Sequence, residues 1–129
     1  MSAHEILQTT LDALLYPQGI YVFWQRKTET EEEETDEYVV YTIDGDPVGT
    51  YADDKPLTRE TNLAIRYYYR DTLMETANGR EKIENRTQAI IEALEAADFS
   101  VPEGAFDSGD IDDVGFGSKI IECYYWRVV

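Results

Sequence analysis

Apolar residues fall in two distinct rhythms along the chain. Ile6, Leu7, Thr10, Leu11, Leu14 and Leu15 recur at helical spacing and form one stripe. Ser2, with Glu5 three positions on, supplies a capping-box start, and Pro17 and Gly19 supply the stop. A second helical stripe, Ile83, Thr87, Ile90, Ile91 and Leu94, predicts a helix over residues 80–97, about 27 Å long at helical rise, with Glu84, Glu92 and Glu95 largely outside the stripe. Residues 71–78 fit either an early start of that helix or a loop.

Between and after the helices the rhythm shortens to strands. Residues 20–26 and 38–43 are rich in aromatic and β-branched side chains. As neighbours in sequence, they are expected to pair antiparallel. Residues 28–37 would then form a mobile, solvated loop at the end of a hairpin, because six glutamates and one aspartate among ten residues oppose compaction. Residues 44–47 (Asp-Gly-Asp-Pro) and 53–56 (Asp-Asp-Lys-Pro) read as breaks. In the strand 61–69, Leu63, Ile65, Tyr67 and Tyr69 share one face, and Ala64, Arg66, Tyr68 and Arg70 the other. Pro102-Glu103-Gly104 is a turn, and 119–128 is a last strand, preceded by a more polar one. The order predicts a single α+β domain over 1–129, with a mostly antiparallel sheet of four to five strands and two helices on one face.

Composition narrows the functional classes. The chain has 129 residues, enough for one core without disulfides or metals. It carries 27 acidic against 11 basic residues, a net charge of −16, which repels nucleic acid and anionic membranes. No apolar run approaches the ~20 residues of a membrane span. Nor does a basic segment followed by an apolar one open the chain, and there is a single cysteine, so a reducing cytoplasm is the expected setting.

Candidate chemistry is sparse. The only histidine, His4, sits in the first turn of a terminal helix, a poor place for positioning a catalytic base. Cys123 has no cation near in sequence and reads as a buried small hydrophobe. Asp44-Gly45-Asp46 fails the calcium-loop pattern because its twelfth position is Lys55. Asp107, Asp110, Asp112 and Asp113 form a looser oxygen cluster, which leaves open a metal-dependent enzyme with a site at 107–113; solvated loop charge is the plainer account. Asn85-Arg86-Thr87 matches the glycosylation triplet in mid-helix, and Gly115-Phe116-Gly117 lacks the third glycine of a dinucleotide loop. No catalytic constellation and no cofactor motif emerges.

What remains is aromatic. Tyr67-Tyr68-Tyr69 and Tyr124-Tyr125-Trp126 place rings on both faces of two strands, beside Arg66 and Arg70. One face can pack under helices. The other reaches solvent or a neighbouring polypeptide, and tyrosine, tryptophan and arginine are enriched at such interfaces.

In element order the chain resembles the tail-terminator, tail-completion and tail-to-head joining proteins of long-tailed phages and prophages. The likeness spans about residues 3–128. It rests on the helix ending near Pro17, the charged loop, Glu37-Tyr38-Val39-Val40-Tyr41, Ala52-Asp53-Asp54, the strand from Leu63 to Arg70, the helix closing on Leu94 to Phe99, and the final strands. The resemblance implies a non-enzymatic virion protein without cofactors. It would be made in the host cytoplasm and placed at the head-proximal end of the tail. There it would form a ring, typically of six subunits, that caps the tail tube, contacts the tail tube protein and the head connector, and lets DNA pass through its lumen. Six such subunits would hold about −96 formal charges, a lumen that does not grip DNA. Glu29, Glu31, Glu32, Glu33, Glu34, Asp36 and Glu37 are the expected docking loop, ordering on contact. A rival class is the acidic DNA-mimic inhibitor, although a mimic spreads its acids along a face to imitate phosphate spacing and here seven crowd one loop.

Overall fold

The computed structural model describes residues 2–25, 36–45, 48–52, 55–108 and 115–128; of 45–59 and 127–128, where described, the backbone alone is considered. The elements run α1 (Ala3–Leu15), a 3-10 turn (Tyr16–Gln18), β1 (Tyr21–Trp24), β2 (Glu37–Gly45), β3 (Val48–Ala52), β4 (Lys55–Arg70), a second 3-10 turn (Asp71–Glu75), α2 (Ala77–Ala96), β5 (Ala105–Asp107) and β6 (Phe116–Val128). The fold is α+β. Its mixed, mostly antiparallel sheet has the row β1-β2-β4-β6-β5, and β3 pairs β4 beyond the end of β2.

Both helices begin at polar caps. The Ser2 hydroxyl accepts from the Glu5 amide at 3.2 Å, and the Thr76 hydroxyl accepts from the Gly79 amide at 3.0 Å. The Thr76 cap starts α2 at Ala77, three residues earlier than its apolar stripe alone indicates. Gly79 is required there, since a Cβ would collide with the Leu73 carbonyl of the preceding turn. From α1, Leu7, Leu11 and Leu15 are fully buried; from α2, Ile83, Ile90 and Leu94. They cover Val39 and Tyr41 of β2, Leu63, Ile65 and Tyr67 of β4, and Ile121 and Cys123 of β6, forming one core. Burying side chains of this size contributes about 1.5–3 kcal/mol each before entropy is counted, so this helix-covered face carries most of the fold's stability.

Strand β4 is the spine. Its residues 62–69 pair with β2, 55–59 with β3, and 58–70 with β6 on the other side. Pro56, which lacks an N–H, lies where only β3 is alongside. In β6, Gly117 opposes Tyr69, and a Cβ there would lie 2.9 Å from the tyrosine ring; the missing side chain lets the ring cross the strand.

Three sequence expectations need correction. First, β1 and β2 pair parallel, Tyr21 opposite Tyr38 through Trp24 opposite Tyr41. The connection between them therefore returns the chain to the starting end of β1 rather than turning a hairpin, and its length of about a dozen residues suits a parallel crossover. Second, β4 begins at Lys55 rather than at 61, its added length pairing with β3 off the five-strand row. Third, Glu37 belongs to β2 and is buried, not part of a solvated loop. Asp36 is exposed and pairs with Arg70, while Glu29, Glu31, Glu32, Glu33 and Glu34 lie outside the described residues, as do Asp110, Asp112 and Asp113.

Candidate functional site

Strand alternation divides the aromatic residues between two faces. Tyr67 and Tyr69 lie under the helices, almost wholly buried, so they are core residues and not available to a partner. Tyr125 also faces the helix side, half-buried against Phe99 at 4.9 Å. Their register with the core positions Leu63, Ile65, Ile121 and Cys123 dictates this. Arg66, Tyr68, Arg70, Tyr124 and Trp126 belong to the opposite face, over which neither helix packs.

That helix-free face is an aromatic run. Tyr38 stacks on its cross-strand partner Tyr68, with centroids 4.6 Å apart and planes within 11°. Phe116 meets Tyr38 edge-on at 5.1 Å, and Phe23 does so from the other side at 6.4 Å. The Arg70 guanidinium lies 4.5 Å over the Phe116 ring and pairs with Asp36 at 3.4 Å. Aromatic pairs in these geometries contribute about 0.5–1.5 kcal/mol beyond simple burial, and a guanidinium over a ring adds a comparable amount. The platform is thus stiff before any partner arrives. Beyond it the same face carries Arg66, exposed between Val40 and Ile120, and the exposed rings of Phe106 and Trp126, the latter 51% accessible. Phe23, Tyr38, Phe116 and Phe106 are the parts sequence reading missed. Tyr38 and Phe116 could have been found from their parity with Tyr68 and Tyr124 once the strand limits were known.

The titratable groups on the helix side serve the fold. Glu37, 7% exposed, accepts from the Tyr67 hydroxyl and pairs with Arg86 at 3.3 Å and Lys82 at 3.4 Å. Burial works to raise its pKa, but Tyr67, Arg86 and Lys82 together outweigh burial and hold it below the ordinary carboxylate value. Burial pushes the Tyr67 hydroxyl far up, and its bond to Glu37 pushes it further. Arg86 also donates to Gln18, tying α2 to the turn after α1. Lys119 bridges Glu84 of α2 at 3.0 Å and Asp107 of β5 at 2.9 Å; burial disfavours its charge, and the two carboxylates more than restore it. Asp107 is therefore committed to an ion pair, and no cluster of metal-ligating side chains occurs among the described residues.

His4 and Cys123 have structural partners. The Tyr41 hydroxyl donates to Gln8 Oε1 at 2.7 Å and takes His4 Nδ1 at 2.8 Å, and the His4 ring packs on Trp24 at 4.5 Å. Burial, with help from Asp12, pushes the Tyr41 pKa up to about 12. Cys123 is fully buried, and burial first, then Asp44, pushes its thiol up to about 12, the reverse of an activated nucleophile. Among the grooves of the described surface, two that are both open stand out. One of about 750 Å³ lies between α1 and β1; one of about 500 Å³ lies along α2 and is lined by Gln18, Asn78, Lys82 and Arg86 among others. Among the described residues, no helix is long and apolar enough to cross a membrane. No protein-family model matches the chain, and no curated protein matches it in sequence.

Proposed function

We propose that this chain is a non-enzymatic virion assembly protein of the tail-terminator and tail-completion kind, which docks other polypeptides through the helix-free face of its sheet. The observation that carries the reading is the accessible part of the helix-free face, half-buried Phe23, Tyr68 and Tyr124 with exposed Arg66, Phe106 and Trp126, seated on the buried rings of Tyr38 and Phe116. A preformed surface of rings and guanidinium groups loses little side-chain entropy on contact, which is why such residues dominate binding hot spots. The element order described above supports a ring on the tail tube, joining it to the head connector, as the setting. The net charge of −16 supports a lumen that leaves passing DNA free. Glu37, Glu84, Asp36 and Asp107 are engaged by cations of the same chain, which speaks against a DNA mimic, whose acids must stay free to copy phosphates.

The test is electron microscopy of tubes assembled from a long-tailed phage tail tube protein, with and without the purified protein. The expected result is tubes of restricted length bearing an added ring at one end. Tubes that elongate unchanged, with no protein bound at either end, overturn the proposal.

A further inference from the structure

The open groove between α1 and β1 has a chemistry of its own. Its wall on the sheet side is made by three consecutive residues, Tyr21, Val22 and Phe23. Successive strand residues point to opposite faces, so a wall built from three in a row is the edge of the strand and not one of its faces. β1 ends the row, and among the described residues it pairs only with β2. Among the described residues the Gln8 side chain reaches that edge, its amide lying a long 3.4 Å from the Val22 carbonyl. An edge of this kind accepts an extended segment.

The opposite wall carries charge. Both oxygens of Asp12 accept from the one Gln8 amide, at 3.1 and 3.0 Å, and among the described residues no cation lies within ion-pair distance of it. Tyr16, 63% exposed, stands edge-on to Tyr21 at 5.8 Å, and Tyr21 continues to Phe23 at 6.5 Å. A carboxylate without a cation beside exposed rings is the environment in which a guanidinium or ammonium gains both a charge-assisted hydrogen bond and a cation–π contact. At −16 the whole chain draws cationic segments toward it and repels acidic ones.

We infer that the groove between α1 and β1 is a docking site for an extended, arginine- or lysine-bearing segment of a partner polypeptide. The segment lies along the outer edge of β1 and sets one cationic side chain on Asp12, against the exposed ring of Tyr16. This site adjoins the helix-free face at Phe23, and its argument does not depend on the ring reading.

The probe is a fluorescein-labelled octapeptide alternating arginine with valine, titrated into the full chain by anisotropy and mapped by amide NMR shifts. A peptide with glutamate in place of arginine is the control. The expected result is saturable binding to the arginine peptide alone, with shifts at Gln8, Asp12 and residues 21–24. Asp12→Asn should weaken binding by about tenfold, as loss of one charge-assisted hydrogen bond implies. Tyr16→Ala, at a position too exposed to matter for folding, should weaken it by a few-fold. Asp12 is one of 27 acids, so attraction to the chain's overall charge alone would leave Asp12→Asn almost unchanged. That outcome, absence of saturation, or shifts elsewhere each overturns the inference. Self-association of the chain that Tyr16→Ala abolishes would assign the groove to a second copy and overturn it as well.

Discussion

Replacing Arg86 with methionine keeps the aliphatic stem and removes the guanidinium that faces Glu37 across the interface of α2 and β2. Glu37 then retains the Tyr67 hydroxyl and Lys82, whose own side chain is about half exposed. Complete removal of a buried ion's partner costs about 3–5 kcal/mol, and a hydrogen bond to a charged group is worth about 1.5–3 kcal/mol. With two partners left, the expected loss is about 2–3 kcal/mol at neutral pH, a large share of the stability of a domain this size. Urea unfolding reads it as a midpoint lowered by about 1–2 M. The pH dependence sharpens the test. The folded-state pKa of Glu37 lies below its unfolded value, so its stabilisation is present above the unfolded value and lost as pH falls through the folded one. Without Arg86 the lowering is weaker, so the difference between wild type and Arg86→Met must narrow in acid, once Glu37 is protonated in both. The other carboxylates titrate alike in the two proteins and cancel. A loss under about 0.5 kcal/mol at neutral pH, the level of an ordinary surface change, would refute the reasoning, as would a loss undiminished in acid.

Two further substitutions and one chemical probe test other parts of the fold. Gly117→Ala drives a methyl group into the Tyr69 ring and should cost about 1–3 kcal/mol in chemical denaturation, whereas Gly104→Ala, with open space but φ of +67°, should cost only its backbone strain, about 1 kcal/mol. Cys123, fully buried with its thiol pushed up to about 12, should resist iodoacetamide at pH 8 in the native protein and react readily in urea; native reactivity equal to the unfolded rate would contradict the burial.

The helices were legible because their information is local. The stripes Leu7-Leu11-Leu15 and Ile83-Thr87-Ile90-Leu94 are the buried faces, and the Ser2–Glu5 cap could be read directly. The early start of α2 was obscured by Asn78-Gly79, a turn signal that here serves close packing against Leu73. Strand direction is not local. Periodicity is identical for a strand running either way, so adjacency favoured a hairpin where β1 and β2 run parallel. Pro56 and Gly49 hid the start of β4 and all of β3, because both residue types weaken a strand reading wherever the partner strands are unknown. Alternation within 61–70 and 119–126 sorted the aromatic residues between faces, but which face the helices cover needed the assembled core. Glu37 shows the deepest limit. In sequence it closes an acidic run; in space it meets Arg86, 49 residues away, and becomes a buried ion pair.

Radical footprinting of the chain bound to tail tubes tests the central claim most directly. It compares oxidation of Tyr68, Phe106, Tyr124 and Trp126 on the helix-free face with Met74 on the turn before α2. Docking through that face predicts strong protection of the four aromatic residues on binding, with Met74 still reacting at its free rate. Bound protein in which those four oxidise as fast as before would place the contact elsewhere and contradict the account.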